Sequence, residues 1–369
     1  MDAGGAGRGD RRVRAATERG LMPARLAVDL DRLRENLATV RRTVSPAETL
    51  FVVKNDAYGH GLEPVAEAAS AAGIDWFGSF DIDSGLRVRR VVGGGSRIFA
   101  WTTTLDADSL QGAADADLDL GVGDAAYLER IIAADRHLRV HLKVDTGLHR
   151  NGVRPEEWSD VVARAARAEA DGRIRVVGLW THIAETSDAD DDASRALFLD
   201  AVAIARAAGL TPDVRHLAAS AAAFARPEFR DDLVRVGAFG YGIRSAGGPD
   251  LPGISPAATL VTDVIDVAGD RVVIDIGSLD GVPSALGGRV TVGTDAGAHP
   301  LLTIDGATST VARYRGARAG DRVYIFGPGA HGEHSATTLA ESIDTVGEEL
   351  LVRLRPGLER SYTGAITPR

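Results

Sequence analysis

Cysteine is absent from the 369 residues, so the chain holds neither a disulfide framework nor a thiolate zinc site. No apolar run approaches the ~18–20 residues of a membrane-spanning helix, which predicts a chain that does not cross a bilayer. A formal net charge of −10 removes a nucleic-acid backbone as the main partner. Residues 1–24, rich in Gly, Ala and Arg, lack the apolar stretch of a secretory signal and read as a disordered arm, with Met22 as an alternative start. Together with the missing cysteine, this fits a cytoplasmic protein.

Lysine is the second scarcity. Lysine and arginine total 42, yet lysine stands only at Lys54 and Lys143. Two chance survivors are the plain explanation. The sharper one is that these positions need an amine that can lose its proton and form a covalent bond, which guanidinium does not offer; a Schiff base and a carbamate are two such needs.

What is present is ordinary for a globular protein: 44% hydrophobic, 25% charged, and long enough for two packed domains. Strand-like runs at 26–30, 50–54, 76–79, 97–101, 140–144, 176–180, 214–217 and 233–236 alternate with stretches of helical period at 31–40, 64–72, 158–170 and 193–208. This alternation predicts a (β/α)8 barrel over residues 25–245, with an open doubly wound sheet as the competitor. No Gly-x-Gly-x-x-Gly follows the first run, which disfavours a dinucleotide-binding version. Beyond a Gly- and Pro-containing linker at 246–249 the texture changes: short runs at 258–267, 271–276, 289–292, 301–304 and 322–326 predict an all-β domain over 246–369, with one late helix near 336–346.

A barrel gathers its catalytic groups at the C-terminal ends of its strands. Lys54, Lys143, His182, Ser220 and Arg235 all stand at such ends. Each has a plainer role available: a solvated strand-end lysine, a packed histidine, a helix N-cap serine, an arginine paired with Asp231 or Asp232. His141, His149 and His182 leave a metal-dependent hydrolase as a remote alternative, with no paired ligand motif to organise them.

The order of the motifs adds a resemblance. Lys54-Asn55-Asp56-Ala57-Tyr58-Gly59-His60-Gly61 resembles the cofactor-lysine motif of alanine racemases, enzymes built from a barrel and a β domain around pyridoxal 5′-phosphate (PLP). Leu142 to Arg150, Thr181-His182, Ala219-Ser220-Ala221 and Arg235-Val236-Gly237 through Tyr241-Gly242 follow in the family's order. The resemblance implies PLP as cofactor, a small amino acid such as L- or D-alanine as substrate, and a homodimer. It implies that Lys54 holds PLP as a Schiff base and returns as the base on one face of Cα. Tyr58 and Ser220 would bind the phosphate with backbone N–H groups at Gly237 and Ala238. Arg235 would face the pyridine nitrogen and, by keeping its proton, favour simple proton movement over elimination. His182 would lie beside the ring. Arg150 would reach the phenolic oxygen, held by a carbamate on Lys143.

The same comparison exposes departures. The family's β domain supplies a second catalytic tyrosine from the neighbouring subunit, yet here 267–271 pass directly into the next strand. The family's Gly-Tyr-Ala-Asp-Gly reads Gly277-Ser278-Leu279-Asp280-Gly281, its Met-Asp carboxylate pair has no counterpart near 308–312, and its Asn-Tyr-Glu reads Gly347-Glu348-Glu349. Tyr314, by position, a water, or an ordered histidine such as His299 would have to replace the lost proton donor. These departures predict slow or absent alanine racemisation. They keep open other PLP chemistry at Cα, of decarboxylase or aldolase type, and a largely non-catalytic PLP-binding homologue.

Overall fold

The computed structural model describes residues 23–364; most of the arm lies outside the described residues. Two compact units divide the chain, one of them formed by Leu37–Ala57 with Leu62–Gly240. The other includes, among the described residues, Tyr58–Gly61, 23–36 and 241–364.

The first described strand is β1 (Arg25–Asp29). The first unit is then built on β2 (Glu48–Val52), β3 (Trp76–Ser79), β4 (Arg97–Ala100), β5 (Asp119–Val122), β6 (Leu138–Lys143), β7 (Ile174–Trp180), β8 (Val214–His216) and β9 (Leu233–Val236). All pair in parallel, in the order β8-β7-β6-β5-β4-β3-β2-β9. Backbone bonds from Asp232 N–H to Arg215 O (3.2 Å) and from Arg235 N–H to Ala218 O (3.3 Å) bring β9 against β8 and close the barrel. Helices fill the crossovers for local reasons. The helix Pro155–Ala170 buries Trp158, Val161, Val162 and Ala165, the i, i+3, i+4, i+7 stripe of an amphipathic helix. The helix Ala125–Ala134 begins where the Asp124 carboxylate accepts the Tyr127 N–H at 2.7 Å.

The barrel interior is unusually polar. Along β6, Arg139, His141 and Lys143 recur with the two-residue period of one strand face. His141 is fully buried, with Phe99 of β4 at 4.6 Å and His216 of β8 at 5.0 Å between ring centroids. A register shift between Val140 and His141 sets Gly178 of β7 opposite His141. A side chain at Gly178 would place its Cβ 2.0 Å from His141 Nδ1, so glycine is required by close approach.

The other unit carries β10 (Ala258–Ala268), β11 (Arg271–Ile274), β12 (Thr291–Thr294), β13 (Gly297–Ile304), β14 (Ser309–Ala312), β15 (Arg322–Phe326) and β16 (Glu359–Thr363). Its order is β11-β14-β13-β12-β15-β10-β1-β16, and an extra β10–β11 pairing closes six of these strands into a ring.

The (β/α)8 barrel and the all-β unit agree with expectation, while individual strands do not. The run at 26–30 is not a barrel strand: β1 pairs antiparallel with β10 and parallel with β16. The eighth barrel strand is instead β5, which the sequence reading passed over. The late helix is two, Ala336–Glu341 and Gly347–Val352. Among the described residues no helix is long and apolar enough to cross a membrane.

Gly178→Ala is expected to force His141 out of place and to lower stability by about 1–3 kcal/mol, the usual cost of overpacking. Chemical denaturation read against the parent checks this, and an unchanged midpoint would contradict it.

Candidate active site

Lys54 directly precedes a rare backbone segment. Asn55, Asp56, Ala57 and Tyr58 have φ of 54°, 54°, 55° and 52°, four successive non-glycine residues in the left-handed region. Each costs roughly 1–2 kcal/mol there, so the surroundings must hold the turn. They do: Ala57 N–H donates to Val53 O at 3.0 Å. The Asp56 carboxylate accepts the Leu62 N–H (3.1 Å) and Arg87 Nη2 (3.0 Å), while Arg87 also grips both oxygens of Glu63. Strain of this kind gathers at functional positions.

Cations converge at the barrel's C-terminal end. Arg235 is only 6% exposed, and among the described residues its hydrogen bonds go to carbonyls and imidazoles, not to carboxylates. Its Nη1 donates to His216 Nδ1 and His216 O (both 3.0 Å); its Nη2 donates to Thr181 O (2.8 Å), Leu217 O (2.8 Å) and His182 Nδ1 (2.9 Å). Burial pushes the guanidinium down to about 9, still protonated at neutral pH. Asp231 and Asp232, its partners in the plainer alternative, face Arg215 instead. Trp180 lies under two charges, with Lys143 Nζ 4.7 Å and Arg235 Cζ 5.2 Å from the ring centroid.

Lys143 donates to Asn151 Oδ1 at 3.3 Å. Burial, then Arg235 and Arg150, push its ammonium down to about 7. His182 feels the same field: burial, then Arg235, Arg150, Lys143 and Lys54, lower it to about 2. Four of the sequence-predicted residues thus act on a fifth. Arg150 is exposed and lines a cleft of ≈ 730 Å³ with Asp145, Asn151 and Arg154.

Ser220 is the first residue of the helix Ser220–Ala225 and not its N-cap, which is Ala219. Its hydroxyl instead accepts the Gly237 N–H at 3.3 Å, tying two of the expected phosphate-binding positions together; Ala238 opens the next turn. Glu185, not singled out by the sequence, accepts the Ala222 N–H at 3.0 Å, and burial pushes its carboxyl up. Tyr58 is described within the other unit, where its ring lies 5.0 Å from Tyr241; burial and then Glu348 push its phenol up.

In the β unit, Ser278 N–H donates to Asp305 O and Leu279 N–H to Gly306 O, both at 2.8 Å. Both side chains are exposed. Tyr314 and His299 stack with centroids 4.7 Å apart. Because Arg271 pairs with Ala312 and Ile274 with Ser309, Tyr314 sits at the opposite end of the β11–β14 pair from Ser278. Among the described residues no three His, Asp or Glu gather as a metal site.

Two family models match the chain: the alanine racemase N-terminal domain over residues 28–245 and the alanine racemase C-terminal domain over 264–362. The chain belongs to the alanine racemase family. An alanine racemase of Thermobifida fusca is 37% identical, covering 93% of this chain and 99% of its own. One of Beutenbergia cavernae is also 37% identical, over 93% and 98%. Alanine racemases of Streptomyces lavendulae and Streptomyces coelicolor superpose with a TM-score of 0.88 at 30% and 31% identity, each pair covering 93% of this chain and 98% of the other. These relatives indicate an isomerase of the racemase type.

With two lysines, the side-chain 15N spectrum should hold two amine signals. In CO2-free buffer the Lys143 signal is expected to titrate near pH 7, charged below and neutral above; a midpoint near 10 would contradict the crowding of cations described.

Proposed function

We propose that this member of the alanine racemase family is a PLP-dependent amino-acid racemase whose activity towards alanine is weak. The observation that carries the cofactor is electrostatic: Lys54, Lys143, Arg150 and Arg235 act together on His182, and the buried Arg235 donates its hydrogen bonds among the described residues to neutral acceptors. Such a site is suited to an anionic ligand carrying a phosphate and a phenolic oxygen.

When bound, PLP supplies an electron-withdrawing ring that acidifies the Cα–H of the amino acid joined to it. The protein's part is to attach, orient and move protons. Lys54 provides the attaching amine and holds the proton on one face of Cα. Tyr58, the Ser220 hydroxyl and the Gly237 and Ala238 N–H groups bind the phosphate. Arg235 presents a fixed donor to the ring nitrogen, and His182, kept neutral, packs beside the ring. Lys143 is a free amine in part of the population near pH 7, the form that takes up CO2; the resulting carbamate would hold Arg150. A homodimer and a cytoplasmic location belong to this same reading.

Weak alanine turnover is inferred from the β unit. At 267–271, where the family's β domain supplies its second catalytic tyrosine, β10 passes directly into β11, and Ser278 replaces a further family tyrosine with a hydroxyl, a far weaker match to the proton than a phenol. The same substitution favours, as a second reading, a PLP-binding homologue with little catalysis.

Protein given PLP should show the yellow absorbance of a lysine-bound cofactor, bleached by borohydride and missing in Lys54→Ala; failure to take up PLP would overturn the cofactor assignment. In D2O, one alanine enantiomer is expected to exchange its Cα–H while interconversion stays slow or absent. Fast interconversion with deuterium at Cα would show a second base and overturn the weak-activity reading. With 13C-bicarbonate, a carbamate signal is expected that Lys143→Arg abolishes; no signal in the parent would remove the carbamate.

A further inference from the structure

We propose that Asp119 of β5, acting through His141 and His216, is a positioning residue that fixes Arg235 as a donor at the barrel mouth. The inference concerns the barrel's own hydrogen bonds; only its consequence for a bound ring rests on the function proposed above.

The four side chains form one line through the barrel interior. Arg235 Nη1 meets His216 Nδ1 at 3.0 Å, His216 Nε2 meets His141 Nδ1 at 2.8 Å, and His141 Nε2 meets Asp119 Oδ2 at 3.2 Å. A guanidinium can only donate, so His216 Nδ1 must be a bare acceptor. His216 then carries its proton on Nε2 and donates to His141 Nδ1. His141 therefore carries its proton on Nε2 and donates to the carboxylate. No other placement of protons satisfies every contact. Protonating either imidazole would set two donors face to face at 3.0 Å or less.

The far end is anchored by charge. Arg97 reaches Asp119 Oδ2 at 2.6 Å through Nη2, and Arg139 Nε reaches Oδ1 at 2.5 Å, while Asp117 also pairs with Arg139. Asp119 is fully enclosed; burial alone would raise its carboxyl, but the His141 hydrogen bond and the two guanidiniums hold it well below the usual range. At the near end the groups facing Arg235 are Lys143, Arg150, His182 and Glu185. Between the ends the line is walled by rings: Phe99 and Trp76 lie 4.6 Å and 6.1 Å from His141, and Trp180 stacks on His216 at 5.5 Å with an 8° tilt. Burial lowers the affinity of both histidines for a second proton.

A barrel centre filled with aliphatic side chains would cost no desolvation. What the polar line adds is direction. An acceptor at Asp119 selects the Nε2–H form of both imidazoles and so delivers a lone pair, not a proton, to Arg235. Reversing the line would leave Arg235 Nη1 facing an N–H.

The test begins with cofactor-free protein labelled with 15N in histidine and arginine. Neutral Nε2–H forms are expected for His141 and His216 across neutral pH, with the Arg235 Nη protons protected from solvent exchange. An imidazolium or an Nδ1–H form at either histidine would overturn the proposal, and this measurement needs no variant to fold. In Asp119→Asn, whose amide can donate to His141 Nε2, the tautomers should become mixed and the Arg235 protons lose protection. With PLP loaded, that variant should show a shifted cofactor absorbance, with kcat on whichever amino acid proves to be turned over lowered about ten- to a hundredfold, the usual range for an outer hydrogen-bond partner, and KM little changed. Unaltered tautomers and absorbance in Asp119→Asn would overturn the positioning role. Failure of the parent to bind PLP, with tautomers and protection as expected, would overturn the proposed function and leave the line of hydrogen bonds standing.

Discussion

The barrel unit depends on keeping a guanidinium charged without giving it a carboxylate. Desolvating a cation costs several kcal/mol unless its protons are all received. At Arg235 the protons of the two Nη atoms are received by three backbone carbonyls, those of Thr181, His216 and Leu217, and by two imidazole nitrogens. The carbonyls belong to the ends of β7 and β8 and the loops just beyond them. One side chain thus fastens the segments that carry His182 and Ser220, and the geometry of the mouth follows from that single requirement.

The same choice explains the protonation states around it. A carboxylate bound directly to Arg235 would cancel its field; neutral acceptors leave the field in place. Lys143 and His182 therefore each lie well below their ordinary affinity for protons, with burial as the larger cause and the neighbouring cations as the second. The result is a site in which His182 is uncharged, Lys143 is partly so near pH 7, and the charge fixed on Arg235 is positive, an arrangement suited to receiving an anion.

Much of this was legible beforehand, because the motif residues sit at strand ends and the strand–helix alternation has a long period. The errors have physical causes. β1 has the apolar pattern of any strand, and nothing local says that its partners, β10 and β16, lie far along the chain. β5 reads Asp-Leu-Gly-Val, and its charged first residue looks like a turn until Arg97 and Arg139 are found on either side of it. That residue, Asp119, was also the functional candidate missed. The signal available was the alternation of Arg139, His141 and Lys143 along one strand, since three polar residues on an inward face require a partner there. Glu185 had no comparable signal: its role rests on accepting an N–H from a helix 37 residues away.

The β unit separates what a backbone needs from what a surface presents. In Gly277–Gly281 the residues that match the family's pentapeptide each have a structural reason. A Cβ on Gly277 would come within 2.5 Å of Asp305 O, and Gly281 has φ 99° with Arg353 O 2.2 Å from a Cβ position. Asp280 is buried, accepts the Gly277 N–H at 3.0 Å and receives Arg355 Nε at 2.8 Å. The two residues that differ, Ser278 and Leu279, are exposed, and Leu279 is 71% accessible, so no contact of the fold dictates them. Loss of the tyrosine therefore leaves the loop's shape intact. The departure is confined to the chemistry that the loop offers outward, and selection on the fold alone would not restore it.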